Sequence, residues 1–290
     1  MAPPARPARP PGPRALRLGE RVLDCTYRTV VMGVLNRTPD SFYDRGATFA
    51  LDDLLRRAEQ LVADGADILD VGGVKAGPGT EVTPEEELDR VVPTVAELTE
   101  RFDVPVSVDT WRASVASAAY ARGAVLGNDI SGFADPRYLE VAAAAGASVV
   151  ATHIRLAPRV PDPDPVYPGG DVVAAVEATL VDRLERARRA GITDDRIVLD
   201  AGIDLGKTAA HSLELLRASD RLSAIGPPLL LSASNKTFLG VLLGLEIDER
   251  RDASLAAVAL GVTRGCRVVR VHDVAGARRV VDVLADVLAA

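Results

Sequence analysis

Cysteine is nearly absent from this chain: only Cys25 and Cys266 occur in 290 residues. They lie far apart without metal-ligand spacing, so both read as buried free thiols of a cytoplasmic protein. Aromatic residues are also scarce, at 4%, although 48% of the chain is hydrophobic. The core must therefore be built from Ala, Val and Leu. There is no basic excess; a formal charge of −7 argues against a nucleic-acid binder that relies on bulk electrostatics. A local site for a small anion stays open. No apolar run is long enough to span a membrane, so no membrane partner is expected. The opening MAPPARPARPPGPRA has arginines but no apolar stretch of the secretory type. Its six prolines in thirteen residues exclude a helix or a central strand. Residues 1–15 therefore read as a disordered or polyproline-like tail, and 16–290 as one domain.

Eight short apolar runs are present, each ending at a polar or glycine-rich cluster. They stop at Asn36, Gly72, Asp109, Asn128, His153, Asp200, Ser234 and His272. Continuous runs of this length suit strands buried on both faces of a parallel sheet. Helix-like sequence follows nearly all of them, over 51–64, 83–101, 110–122, 135–145, 171–190, 208–219, 236–243, 250–265 and 276–288. Eight strand–helix units close an α/β (β/α)8, or TIM, barrel, in which residues just past the strand ends share one mouth. Before the first core strand, LRLGERVLDCTYRT predicts a hairpin that plugs the barrel bottom. The proline-rich stretch 154–170 cannot be regular, and reads equally as a lid or a surface excursion.

Several polar residues have purely local explanations. Asp70 and Asp129 suit turn caps, and Asp109 before Thr-Trp-Arg suits the N-cap of the next helix. His153 suits a satisfied structural histidine and His211 a surface one. Gly202-Ile-Asp-Leu-Gly206-Lys207-Thr208 has one residue too few for a nucleotide-binding P-loop. Arg270 and His272, two apart on a predicted strand, point to the same side of it.

VMGVLNRTPDSF (31–42) resembles the N-terminal signature of the dihydropteroate synthase family. The likeness continues through a half-kept second signature, Asp70-Val-Gly-Gly-Val-Lys-Ala-Gly-Pro-Gly79, then SVDT (107–110), NDISG (128–132), LDAG…GKT (199–208), SASNKTFLG (232–240) and RVHDV (270–274). By that resemblance, the expected reaction joins a pterin diphosphate to 4-aminobenzoate in folate biosynthesis, releasing diphosphate. Asn36 matches the position that helps hold Mg²⁺ with the diphosphate. Asp109, Asn128 and Asp200 match residues that hydrogen-bond the pterin, and Lys236 the lysine at its polar edge. Asp109 and Lys236 are the expected catalytic residues. Arg270 and His272 match the diphosphate-binding pair. The residue types suit the chemistry, because a carboxylate such as Asp200 can accept two adjacent pterin N–H groups. Cations suit a leaving diphosphate, and an oxygen ligand such as Asn36 suits Mg²⁺. The family also implies a homodimer through outer helices, with 250–265 as a candidate face.

The departures from the family pattern gather on the acceptor side. By the resemblance, Ala76 stands for a substrate-contacting threonine and Gly77 for an arginine associated with the diphosphate, both in the second signature. Asn235 stands for an arginine between Ser234 and Lys236. Arg37 replaces a small apolar residue, Ala201 a proline and Asp204 a glycine. Lys75 and Arg37 are the cations available to restore charge, although lysine cannot reproduce a bidentate guanidinium fork. Weak synthase activity is one expectation. A second is an inactive paralogue that binds pterins or sulfa drugs without turnover. A third, a methyltetrahydrofolate-dependent methyltransferase with a corrinoid partner, would not need Lys236 or the Arg270–His272 pair.

Overall fold

The computed structural model describes residues 14–38, 50–77 and 79–290. The proline-rich tail to residue 13, and Pro39–Phe42 of the first signature, lie outside the described residues. The predicted hairpin is present as β1 (Ala15–Leu18) and β2 (Arg21–Asp24), paired antiparallel.

All eight apolar runs become strands of one closed parallel barrel. In chain order they are β3 (Val30–Asn36), β4 (Ile68–Gly72), β5 (Val106–Asp109), β6 (Leu126–Asp129), β7 (Ser148–Thr152), β8 (Ile197–Asp200), β9 (Leu229–Leu231) and β10 (Cys266–Val271). Each pairs with the next, and β10 closes onto β3.

Strand alternation sorts the side chains into two cores. Val30, Met32, Ile68, Leu126, Val150, Val198, Leu230 and Val268 point inward and form a compact cluster with Leu16, Leu18 and Cys25 of the hairpin region. The hairpin thus closes the lower end of the barrel. Neighbouring positions such as Val31, Leu69, Val149, Leu199 and Val269 point outward against the helices. Moving up from the inner layer by two residues leads to Asp70, Asn128, Thr152, Asp200 and Arg270. Asp109 is two residues above Ser107, on the same inward parity. The polar ring at the mouth follows from the strand period.

The helices are α1 (Leu51–Ala63), α2 (Pro84–Arg101), α3 (Ala113–Tyr120), α4 (Tyr138–Ala144), α5 (Val172–Arg189), α6 (Ala209–Arg217), α7 (Ser219–Ser223), α8 (Thr237–Leu243), α9 (Arg251–Thr263) and α10 (Val274–Ala289). Thr83 and Glu86 form a reciprocal capping box at α2, beginning the helix as its Thr-Pro-Glu-Glu-Glu sequence predicts. Two expected helices differ. The stretch 208–219 breaks near Ala218, where Ser219 Oγ bonds back to Leu216 O at 2.9 Å, and a short second helix follows.

The helix expected from residue 110 starts only at Ala113, whose N–H goes to Asp135 Oδ2 at 3.0 Å. Thr110 Oγ1 accepts from Arg112 N. Asp109 therefore does not cap α3, and its carboxylate is turned elsewhere.

Candidate active site

At the C-terminal mouth a cavity of ≈ 660 Å³ brings together Asn36, Lys75, Asp109, Ser234, Asn235, Lys236, Arg270 and His272. These come from five strand ends or the loops after them. Asn128 and Asp200 are buried next to this ring and do not line the open space. Arg37 is not among the lining residues either. Its guanidinium donates to Arg90 O at 2.9 Å and to Thr94 Oγ1 at 3.3 Å, both on α2. Alternation explains this placement: Asn36 faces in, so Arg37 faces out. The guanidinium of Arg37 is therefore turned toward a helix and does not line the cavity.

Arg270 organises the polar floor. Its Nε donates to Asp70 Oδ2 at 2.6 Å, and a terminal nitrogen donates to Asp109 Oδ2 at 2.7 Å. Asn128 Nδ2 donates to the same Asp70 oxygen at 3.2 Å. Asp70 is thus the fully buried hub of the network, not the turn cap its local sequence suggested. Asp129 does cap a turn, accepting from Ser131 N and Phe133 N. Burial works against charge on Arg270, but Asp70 and Asp109 outweigh it and raise its pKa. Burial lifts the Asp109 carboxyl to about 7; Arg270 opposes that rise, while Asp70 and Glu87 add to it. Asp200 is raised by burial as well, with its Oδ1 holding Gly202 N at 2.8 Å.

Lys236 sits at the N-cap of α8, with its pKa lowered by burial. Beside it, Asn235 adopts a left-handed φ of 57°, which asparagine tolerates better than most residues. Its N–H goes to Ser254 Oγ at 2.9 Å. His272 and Ser234 form a second pair: Ser234 Oγ lies 3.0 Å from His272 Nδ1 and accepts from His272 N at 3.2 Å.

The loop after β8 shows how an aspartate is accommodated where the family resemblance implies glycine. Asp204 keeps the left-handed backbone, φ 70°, and its Oδ2 accepts from Thr237 N at 2.6 Å. The loop is thereby tied to the start of α8. Gly202 is sterically obligatory, because a Cβ there would lie 1.9 Å from His153 O. Lys207, which a nucleotide-binding reading would aim at phosphates, instead turns inward. Its Nζ sits 3.0 Å from both His153 Nδ1 and Leu205 O. His153 is buried, and its pKa falls to about 3 through burial and the adjacent Lys207. It is the satisfied structural histidine the sequence suggested. His211 closes a capping box with Thr208 and meets the Tyr167 ring edge-on.

Of the residues missed by sequence reasoning, Asp70 carried a usable signal. It stands two residues above inward-facing Ile68, so alternation places it inside the barrel. Arg250 carried no such signal; it braces the Ser234–Lys236 turn by donating to Asn235 O and Leu245 O.

The description "Pterin binding enzyme" belongs to the family model that matches residues 32–272. Across 268 residues the chain is 45% identical to "Inactive dihydropteroate synthase 2" of Mycobacterium leprae, covering 90% of this chain and 91% of that one. It is 40% identical over 249 residues to the dihydropteroate synthase of Bacillus subtilis, covering 85% and 84%. Among solved structures, the Yersinia pestis dihydropteroate synthase with a sulfonamide drug complex superposes with a TM-score of 0.90 at 36% identity. That match covers 95% of this chain and 100% of the other.

Proposed function

The chain belongs to the dihydropteroate synthase family of pterin-binding enzymes, and from that premise we propose that its barrel mouth binds a dihydropterin diphosphate and retains a weakened synthase reaction. The observation that carries this reading is the Asp70–Arg270–Asp109 network beside Asn128 and Asp200. It presents acceptors and one strong cation in a buried space. Asp70 Oδ1, Ser107 Oγ and Thr152 Oγ1, all on the inward parity, have no hydrogen-bond partner among the described residues. All three are closed to solvent and none lines the open cavity, so they lie beneath the floor; the carboxylate that the network presents to a ligand is that of Asp109.

In this reading Asp200 accepts from the pterin's adjacent N–H groups, Asn128 and Asp109 hold its other edge, and Lys236 meets its carbonyl side. Arg270 and His272 face the diphosphate. The arylamine lone pair forms the new C–N bond as the methylene C–O bond breaks and its electron pair leaves with diphosphate. The spent amine then loses a proton. Asp109, beside the methylene, stabilises the positive charge that develops there.

Asn36 fits an oxygen-ligand role for Mg²⁺. Its Oδ1 is 3.2 Å from where a Gly72 Cβ would be, so glycine keeps that approach open. Among the described residues no cluster of three His, Cys, Asp or Glu could cage a metal, so the ion would arrive with the substrate phosphates. Bound there, Mg²⁺ would neutralise charge on the departing diphosphate.

Lost acceptor-side cations favour the second reading, pterin binding without turnover, and so does the name of the M. leprae relative. The methyltransferase reading has no use for Lys236 with Arg270 and His272. Diphosphate release from a dihydropterin diphosphate, with Mg²⁺ and with or without 4-aminobenzoate, separates the first two. Dihydropteroate formed at a slow enzyme-dependent rate supports the weakened synthase; pterin binding with no product supports the second reading.

A further inference from the structure

The loop after β7 places one guanidinium across the mouth. A turn closed by Val160 N to Ala157 O, 3.2 Å, puts Arg159 at φ 69°. This left-handed conformation is costly for a residue other than glycine, and such strain persists where the surrounding structure imposes it. The loop is pinned on both sides. Arg155 makes a two-pronged pair with Asp162, and Tyr167 Oη donates to Gly206 O at 3.0 Å. From there Arg159 reaches over the cavity and donates to Thr80 O at 2.6 Å, joining the two loops. Ile154 and Arg159–Asp162 of this stretch thus wall the site, and Thr80 lies just beyond the segment where Gly77 stands for the family's arginine.

Lys75 and Lys236 also line the cavity, Lys236 at the place given to the pterin edge; the guanidiniums and Lys207 differ in what they have left to give. Arg270 is paired with Asp70 and Asp109, and Lys207 is bound to His153 and Leu205. Arg250 is spent on the carbonyls of Asn235, Lys236 and Leu245. Arg37 lies against α2. Arg159 gives one of its five N–H donors to a neutral carbonyl and has no carboxylate partner among the described residues. Around it, Ile154, Val160, Pro161 and Leu205 line the cavity with apolar surface.

We propose that Arg159 is a specificity-determining residue that anchors the carboxylate of an aryl-carboxylate second ligand, whose ring lies against Val160, Pro161 and Leu205. The inference rests on the pterin reading above for where the first ligand sits. It relocates the acceptor-side guanidinium from the loop after β9 to the loop after β7.

The test titrates wild type, Arg159→Gly and Arg159→Lys with 4-aminobenzoate, 4-aminobenzamide, inorganic diphosphate and 6-hydroxymethylpterin, each alone and the first two also with pterin and diphosphate present. Glycine accepts φ 69°, so Arg159→Gly should keep or raise the thermal midpoint while its affinity for 4-aminobenzoate falls about tenfold or more. Arg159→Lys should recover part of that loss. Affinities for the uncharged amide, for diphosphate and for the pterin should not move. Equal 4-aminobenzoate affinity in wild type and Arg159→Gly overturns the proposal. So does wild type that binds no 4-aminobenzoate, or a loss confined to diphosphate. Absence of pterin binding in all three proteins defeats the pterin reading instead, while the carboxylate titration still decides the role of Arg159.

Discussion

Asp70 and Arg270, 200 residues apart in sequence, meet at 2.6 Å on the inner wall of the barrel. Register brings them there: Met32 pairs with both Ile68 and Arg270, so β3 stands between the two strands that carry them. The Asp70 side chain is fully buried and Arg270 is 17% exposed, so solvent does little to screen the pair. Removing one partner from a buried ion pair leaves a desolvated charge behind. Asp70→Asn keeps the shape and one acceptor but discards the charge. It should lower stability by about 2–4 kcal/mol, read as a reduced urea midpoint with an unchanged slope. A midpoint within error of wild type would mean that Asp109 alone satisfies Arg270.

Asp200 should be central to pterin affinity, and its loss should also cost some stability by leaving Gly202 N–H without its acceptor. One of its oxygens is occupied by Gly202 N, and burial raises its pKa. Charge-assisted hydrogen bonds contribute about 1.5–3 kcal/mol each, so Asp200→Ala should weaken pterin binding at least about tenfold. Fluorescence titration of the folded variant checks this. Unchanged affinity would place the heterocycle elsewhere in the mouth.

The barrel was legible because parallel strands write themselves as unbroken apolar runs. Much of the site was legible because polar residues end those runs. What sequence reading missed was mostly direction and distance. Asp70 looked like a local cap because its partner is on the far side of the chain. Arg37 looked available because residue type says nothing of which wall it faces; the parity set by Met32 and Val31 decides that. The late start of α3 depended on Asp135, a cap supplied from another unit. The place of Arg159 depended on a turn conformation that no apolar pattern encodes.

Restoring the family's cations should raise turnover if their loss is what weakens it. Asn235 is well chosen for its left-handed backbone, and an arginine there would carry a conformational cost of about 1–2 kcal/mol. The double variant Gly77→Arg, Asn235→Arg should therefore be somewhat less stable and form more dihydropteroate, with dihydropterin diphosphate and Mg²⁺ supplied. Unchanged product formation would indicate that the acceptor side has been rebuilt around other residues. Adding Arg159→Gly to that double variant distinguishes the two arrangements: the restored arginines should make Arg159 less important for 4-aminobenzoate.

His153 should contribute an acid-sensitive part of the stability in a defined window. In the folded chain its pKa is pushed down to about 3, by burial first and then by Lys207, whose Nζ lies 3.0 Å away. In the unfolded chain it titrates near the ordinary value of about 6.5. Between these values the unfolded state binds a proton that the folded state refuses. Stability is therefore fully present above pH of about 6.5 and declines as pH falls toward 3, by up to about 1.4 kcal/mol per pH unit from this group. An asparagine at 153 offers its side-chain oxygen near the place of Nδ1, so Lys207 keeps an acceptor while the titration is removed. His153→Asn should then show a shallower loss of stability than wild type in urea unfolding followed from pH 7 to 4. Carboxylates that titrate in the same range contribute equally to both proteins and cancel in the difference. Parallel pH profiles would show that His153 is protonated in the fold, and that Lys207 is the neutral member of the pair.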